Sequence, residues 1–276
     1  MDDDTYAGFE GIIGEYTVIL SPHIGIGTFG SVHKATHNRL GHSAAAKQML
    51  LMDGNKVNDY LLGMAERELS FLRSLQAHDN IVKLYGHINR RNTYWLFMEY
   101  CDLGNLHGYL RDNFDLPLFK RITIMHELAS ALTFMHSQDP PIIHRDIKLE
   151  NLLMKKEGKK HILKITDFGL SKLLDNPKSL SMGFNQANYM TTTCGARFFM
   201  APEFFSELEG GVKYDSSIDI FATGLVFLIV MDAKQDNDLV PLSGNMTYWT
   251  LLMYYSSFSL NSDQNHEWRC LPMKTK

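Results

Sequence analysis

The stretch His144-Arg145-Asp146-Ile147-Lys148-Leu149-Glu150-Asn151 follows a Pro140-Pro141 break and two isoleucines, and it gathers several reactive side chains into one short segment. Asp146 can accept a proton, Lys148 can neutralise a transferring anion, and Asn151 can ligate a hard metal ion through its amide oxygen. Phosphoryl transfer depends mostly on positioning and charge stabilisation, and it needs this combination of groups. The stretch therefore predicts a phosphoryl-transfer site, with a polar loop after a helix as the alternative that the rest of the chain must exclude.

The composition describes an ordinary globular chain of 276 residues, long enough for one large domain or two lobes. Hydrophobic residues make up 45% and charged residues 21%, which argues against disorder across the whole chain. The net charge of -4 gives no signal for nucleic acid or for a membrane surface. The longest apolar run, residues 220–231, is too short to span a bilayer and predicts a buried core helix.

The cysteines and the first residues of the chain indicate the cellular compartment of the protein. Cys101, Cys194 and Cys270 lie far apart with no metal-ligand spacing, and an odd number of cysteines fits a reducing environment. The chain begins Met1-Asp2-Asp3-Asp4, which is acidic where a signal peptide would be basic. These features together predict an intracellular protein, cytoplasmic or nuclear.

A glycine-rich segment, Ile24-Gly25-Ile26-Gly27-Thr28-Phe29-Gly30-Ser31-Val32, has the spacing G-x-G-x-x-G-x-V. In a dinucleotide-binding fold such glycines run directly into a helix. Here strand-like residues follow instead, and Leu40-Gly41-His42 makes a turn into a second strand that ends at Lys47. We therefore predict a hairpin in which backbone N–H groups approach phosphates with no side chain between them, which requires glycine.

A helix is predicted over about residues 58–75, where apolar residues recur at helical spacing. Two of its glutamates, Glu66 and Glu68, compete for an ion pair with Lys47. At about 100° per residue, Glu68 falls beside the apolar stripe and Glu66 falls well outside it. Glu68 is therefore the predicted partner of Lys47, and Glu66 is predicted on a solvated face.

A hairpin is predicted from Leu152-Leu153-Met154 to Ile162-Leu163-Lys164-Ile165, and it leads into Thr166-Asp167-Phe168-Gly169. Mg²⁺ prefers oxygen ligands and keeps some of its waters. One carboxylate, that of Asp167, and one amide oxygen, that of Asn151, therefore make a plausible set of protein ligands.

Taken in order, these motifs resemble those of eukaryotic protein kinases of the Ser/Thr type over roughly residues 16–231. The matching motifs are the glycine hairpin, Lys47 in the place of the V-A-I-K lysine, H-R-D-x-K-x-x-N at 144–151, D-F-G at 167–169 and A-P-E at 201–203. Residues around Cys194-Gly195, Phe198-Phe199-Met200 and Asp219-Ile220-Phe221-Ala222 are also loosely similar to the PDLIM-interacting kinase-like subgroup.

The resemblance implies an α+β, two-lobed protein kinase fold, with a small β-rich N-lobe that carries one helix and a larger helical C-lobe. Its divisions would be an N-terminal tail at 1–15, the N-lobe at 16–98 and the C-lobe at 99–231, which includes an activation segment at 167–203. Residues 232–276 do not match the family's usual helices. We therefore expect either a divergent C-terminal part or a truncated C-lobe.

The resemblance also implies ATP and Mg²⁺ as cofactors and a role for each matched residue. Asp146 would be the catalytic base, Lys148 would stabilise the γ-phosphate, and Asn151 would complete the catalytic loop. Asn151 and Asp167 would hold the metal. Lys47 would position the α- and β-phosphates.

The nucleotide would lie against a hinge in which Met98 is the gatekeeper and the backbones of Glu99 and Cys101 face adenine. The implied ATP-binding residues are Ile24, Gly25, Gly27, Gly30, Val32, Ala45, Lys47, Glu68, Met98, Glu99, Cys101 and Leu153. Structural roles are implied for Arg145, Phe168, Gly169, Glu203 and Asp219.

The polar segment 170–200 carries the candidate regulatory phosphosites. Spacing from Glu203 favours Thr192, followed by Thr191 and Thr193. A phosphate there would bind Arg145, and the alternative is a simple hydroxyl-rich loop.

The prediction is an ATP-dependent kinase that phosphorylates Ser/Thr hydroxyls of protein substrates, with no nucleic-acid or membrane partner. The alternative is a pseudokinase or scaffold. It is favoured by Ala196, which stands where the family usually has a threonine, and by the unfamiliar sequence beyond Met231. A small-molecule phosphotransferase is a further alternative, against which Lys148 and the long activation segment argue.

Overall fold

A computed structural model describes residues 9–27, 30–53, 56–90, 92–173, 199–201 and 215–233. These residues form an α+β fold, which confirms the predicted fold class. A mainly N-terminal antiparallel sheet packs against one helix, and the later part combines three helices with short two-stranded sheets.

The large sheet has seven strands in the order β1-β2-β4-β5-β9-β8, with β3 paired to β4. Its strands are β1 Phe9–Ile13, β2 Tyr16–Ser21, β3 Gly25–Gly27, β4 Gly30–His37, β5 Ser43–Leu50, β8 Leu84–Arg90 and β9 Thr93–Glu99. Two short strands, β6 Met52–Asp53 and β7 Lys56–Val57, pair with each other. Strand β1 pairs with β2, so the sheet extends into the segment that the sequence assigned to an N-terminal tail.

Strand β5 contains three consecutive alanines, although alanine is a weak strand former. Ala44 and Ala46 are fully buried on the outer face of the sheet, under a cluster that includes Tyr16, Trp95 and Phe97. The rings of Tyr16 and Phe97 stack with centroids 4.0 Å apart. Small side chains in β5 leave room for these rings, so packing outweighs the intrinsic preference.

The described helices are α1 Asp59–Ser74, α2 Leu106–Asp112, α3 Leu118–His136 and α4 Ser217–Asp232. Helix α1 matches the predicted helix, and the Asn58 side chain caps it by accepting hydrogen bonds from the N–H groups of Tyr60 and Leu61. The prediction of a buried helix at 220–231 is right for only one face of α4. Its other face is open, with Ile220 58% exposed and Leu228 54% exposed.

The remaining strands form two antiparallel pairs beside these helices. Strand β10 Ile142–Ile143 pairs with β13 Lys172–Leu173, and β11 Leu152–Glu157 pairs with β12 Lys160–Ile165. One hydrophobic core runs from α1 and β9 through α2, α3 and β11–β12 to α4. Within the described ranges, no helix combines the length and apolar character needed to cross a bilayer.

Arg121 joins the start of α3 to the end of α4. It is only 9% exposed, and its guanidinium donates to the carbonyl oxygens of Phe114, Leu116, Val230 and Ala233. The last carbonyls of a helix have no partner within the helix, and a cation at this end also complements the helix dipole. Arg121 therefore satisfies groups that would otherwise be buried without a donor.

We predict that Arg121→Met lowers the free energy of unfolding by ~2–4 kcal/mol, because several buried carbonyl oxygens lose their donor at once. Chemical denaturation followed by far-UV circular dichroism measures this change. The matched control is Arg111→Met, since Arg111 is exposed and, among the described residues, has its one ion pair with its neighbour Asp112. Equal denaturation midpoints for both variants would show that the Arg121 contacts do not stabilise the fold.

Candidate active site

The segment 144–151 brings the three predicted catalytic side chains together. The Asp146 carboxylate oxygen Oδ2 accepts hydrogen bonds from Lys148 Nζ at 2.8 Å and from Asn151 Nδ2 at 2.7 Å. Asn151 Nδ2 also donates to the Asp146 carbonyl oxygen at 2.9 Å. The amide nitrogen of Asn151 is thus committed to Asp146, which leaves its amide oxygen to a hard cation.

Asp219 on α4 fixes the backbone of this segment from beneath. Its buried carboxylate accepts the N–H groups of His144 and Arg145, each at 2.8 Å. Arg145 adopts a positive φ of 71°, a conformation that L residues seldom adopt and that surrounding contacts must maintain. His136 Nε2 also lies 2.9 Å from Asp219, so this histidine supports the anchor.

His144 links the segment to the residues after β12. Its ring is fully buried, with Nδ1 accepting the N–H of Asp146 at 3.2 Å and Nε2 3.1 Å from the Thr166 carbonyl oxygen. The same ring meets Phe168 edge to face, with centroids 5.1 Å apart. Phe168 and Gly169 begin a short 3₁₀ turn directly after Asp167. The contacts of His144 therefore hold the segment 144–151 next to the segment that contains Asp167.

Lys47 bridges the two parts of the fold. Its Nζ donates to both carboxylate oxygens of Glu68, at 2.7 and 2.8 Å, and to Asp167 Oδ1 at 2.8 Å. Glu66, the competing glutamate, is exposed. The structure therefore pairs Lys47 with the glutamate that helical phase favours.

The charges in this cluster shift one another's titration. Burial alone would lower the pKa of Lys47, but the carboxylates of Asp167 and Glu68 raise it above its ordinary value. Burial raises the pKa of Glu68, and Lys47 counters this only in part. For Asp167 the balance is reversed, because Lys47 outweighs the effect of burial and lowers the pKa. Asp167 is therefore an ionised carboxylate that faces the Asp146 loop.

The donor set fits a hard cation held partly by its substrate. Among the described residues, no three His, Cys, Asp or Glu side chains lie together as a metal site. The Asp167 carboxylate and the Asn151 amide are both oxygen donors, and the Thr166 N–H bonds the Asn151 carbonyl at 3.0 Å, which keeps the two segments adjacent. Oxygen donors of this kind suit Mg²⁺ that also binds phosphate oxygens and water.

The glycine segment forms the predicted hairpin. Gly25 pairs with Val32 and Gly27 pairs with Gly30 across β3 and β4. Ile24, the residue before β3, is exposed. A Cβ atom on Gly30 would lie 1.8 Å from the Gln48 carbonyl oxygen, so no other residue fits there without moving the backbone.

The remaining predicted nucleotide residues lie on or beside β5, β9 and β11. Ala45 pairs with Met98 across β5 and β9, and Leu153 lies half-buried on β11. The Glu99 N–H donates to the Lys83 carbonyl at 2.8 Å. Burial and the nearby Glu99 raise the pKa of the Cys101 thiol to about 12, so the thiol stays neutral.

Several predicted residues lie outside the part of the chain that the structure describes. They are Glu203, the candidate phosphosites Thr191, Thr192 and Thr193, and the departure from the family pattern, Ala196.

Two features of the site were not identified from sequence. His136, at the end of α3, contacts Asp219. Lys155, on β11, bonds the buried carboxylate of Glu99, as does Lys164 on β12. The available signal was Lys164 itself, which interrupts the apolar run of β12.

Comparisons with known proteins find the same kind of protein over most of the chain. A family model described as protein kinase domain matches residues 19–243. A probable serine/threonine-protein kinase of Dictyostelium discoideum is 30% identical over 253 residues, which cover 92% of this chain and 44% of that protein. The serine/threonine-protein kinase ATG1a of Arabidopsis thaliana is 32% identical over 235 residues, which cover 85% of this chain and 33% of that protein.

A third relative, the serine/threonine-protein kinase BCK1/SLK1/SSP31 of Saccharomyces cerevisiae, is 33% identical over 226 residues, which cover 80% of this chain and 14% of that protein. The chain therefore spans less than half the length of each of these curated relatives.

Proposed function

Because this chain belongs to the eukaryotic protein kinase superfamily, and its relatives are serine/threonine-protein kinases, we propose that it transfers the γ-phosphoryl group of Mg-ATP to serine and threonine hydroxyls of proteins. The observation that supports this most strongly is the bridge from Lys47 to both Glu68 and Asp167. Phosphoryl transfer in this superfamily needs the lysine–glutamate pair and the metal-binding aspartate in place together.

Asp146 is the proposed catalytic base. Lys148 and Asn151 both bond its Oδ2 atom, which orients the carboxylate. In this arrangement Asp146 orients the hydroxyl of the substrate and accepts its proton. Lys148 brings a positive charge to the anionic oxygens of the group in transfer.

Asp167 and Asn151 are the proposed protein ligands of Mg²⁺, and Lys47 is the proposed partner of the α- and β-phosphates. When bound, Mg-ATP supplies the phosphoryl group, and the metal neutralises charge on the phosphates. Adenine is proposed to lie beside Ala45 and Leu153, facing the backbone of the hinge at residues 99–101.

The test is a transfer assay with the purified chain, Mg-ATP labelled at the γ-phosphate and a generic protein substrate. We expect label on serine and threonine, and no label when EDTA removes the metal. ATP binding without transfer above background would instead support the pseudokinase alternative, which the alanine at position 196 favours.

We predict that Thr192 is phosphorylated in the active form, because a phosphate on the segment that precedes Glu203 would be an anion that a guanidinium next to the base, that of Arg145, can bind. Mass spectrometry of active enzyme, before and after phosphatase treatment, measures the modification and its loss alongside activity. The variant Thr192→Ala removes the proposed phosphosite. Its matched control is Ser179→Ala, which removes a hydroxyl that lies farther from Glu203 in the sequence. Fully active enzyme with unmodified Thr192 would refute the prediction.

A further inference from the structure

The Glu99 side chain, at the end of β9, is held by a network that the proposed chemistry does not use. The residue is only 4% exposed. Its Oε1 lies 2.5 Å from Lys155 Nζ, and its Oε2 lies 3.1 Å from Lys164 Nζ and 3.2 Å from the backbone nitrogen of Lys83. Burial would raise the pKa of Glu99, but the two lysines lower it, so the carboxylate stays charged.

The two lysines belong to the hairpin that also carries the proposed metal ligands. Lys155 lies on β11 and Lys164 lies on β12. Asn151 directly precedes β11, and Asp167 follows β12 after one residue. The proposed metal ligands therefore flank the open end of the hairpin, and two lysines on its strands bind the hinge carboxylate.

The stability of the fold does not by itself explain why lysines occupy these two positions. Lys164 is only 3% exposed, and its charge is balanced by Glu99 and, at 3.9 Å, by Glu157. Replacing a buried ion pair by packed apolar side chains is often neutral or stabilising. An ionic contact instead fixes a direction and a distance between the two elements that it joins.

We propose that Lys155 and Lys164 are positioning residues for ATP. By fixing the Glu99 side chain, they set the distance between the hinge backbone that faces adenine and the hairpin that holds the metal. The inference rests on the proposed function, because it requires adenine to bind at residues 99–101. It adds two residues that touch neither adenine nor phosphate and act through Glu99.

The test uses Lys164→Met and Lys155→Met in the full chain, with Lys159→Met as the matched control on the exposed turn of the same hairpin. Three quantities are measured: the Kd of adenosine, and the KM and kcat for ATP. Adenosine has no phosphate, so its Kd reports the adenine subsite independently of the metal.

We expect the adenosine Kd and the ATP KM to rise together by about tenfold, equivalent to ~1.4 kcal/mol, with kcat nearly unchanged and Lys159→Met like wild type. Lys155→Arg should recover most of the lost affinity, since it keeps the charge and the 25% exposed side chain leaves room for a guanidinium, unlike that of Lys47. If Lys164→Met does not fold, Lys155→Met decides the matter, because its side chain is already 25% exposed and its loss is better tolerated.

Variants with a lower melting temperature but wild-type adenosine Kd and ATP KM would overturn the proposal, since the lysines would then serve folding alone. A fall in kcat with KM unchanged would also overturn it. Failure of the proposed function gives a different result, because wild-type protein would then show no transfer above background, while the adenosine Kd of wild type and variants would still report on the two lysines.

Discussion

Replacing Asp146 with asparagine is expected to reduce phosphoryl transfer by ~10²–10⁴-fold while ATP still binds. The amide has nearly the shape of the carboxylate, so Lys148 and Asn151 keep a nearby oxygen to contact. What is lost is the ability to accept the proton of the substrate hydroxyl. Lys47, the proposed phosphate ligand, bonds Glu68 and Asp167 and is untouched by the change.

Initial rates with a protein substrate and a separate ATP titration measure the two halves of this prediction. Asp112→Asn is the matched control, because Asp112 is an exposed acid at the end of α2 whose loss should change neither quantity. An Asp146→Asn variant that keeps more than about a tenth of the wild-type rate would remove Asp146 from the role of base.

Replacing Lys47 with methionine is expected to lower transfer by ~10²-fold or more, because the site loses a preorganised positive charge. Methionine fills much of the same space, so the loss is mainly electrostatic. The buried Glu68 and the half-buried Asp167 then lose the cation that they share, and the pKa of each carboxyl should rise.

A pH dependence follows from this change. In the wild type, Lys47 depresses the pKa of Asp167, so the carboxylate stays charged until the pH falls far below neutrality. In Lys47→Met that protection is gone, so we expect Mg-ATP affinity to weaken as the pH falls and to recover as it rises.

The measurements are the transfer rate and the Kd of Mg-ATP across pH, with Lys120→Met as the control on an exposed position of α3. Lys47→Arg should not restore activity, since a planar guanidinium does not replace an ammonium between two carboxylates. Wild-type activity in Lys47→Met would contradict the role proposed for this lysine.

Local patterns predicted the features that depend on neighbouring residues. The helical period placed Glu68 beside the apolar face of α1 and Glu66 on the solvated face, without reference to the rest of the chain. In the structure, Lys47 forms its ion pair with Glu68. The spacing of Gly25, Gly27 and Gly30, followed by strand-like residues, likewise predicted a hairpin. These are consequences of backbone periodicity and of the conformations that glycine permits.

Contacts between distant segments were not predictable in the same way. The bond from His136 to Asp219 depends on how α3 packs against α4, which local sequence patterns do not specify. Lys164 gave a partial signal, since a lysine between apolar strand residues must find a counter-charge if it is buried. Its partner Glu99 became evident only from the packing of hinge and hairpin.

The most direct test of the central claim, that this chain is a phosphotransferase rather than a scaffold, compares purified wild type and Asp146→Asn in one assay. The quantity measured is the initial rate of γ-phosphate transfer from Mg-ATP to a generic protein substrate. We predict serine- and threonine-bound phosphate from the wild type, at a rate at least about 100 times that of the variant. Equal, background-level rates for the two proteins would contradict the claim and favour a scaffold that binds partners without catalysing transfer.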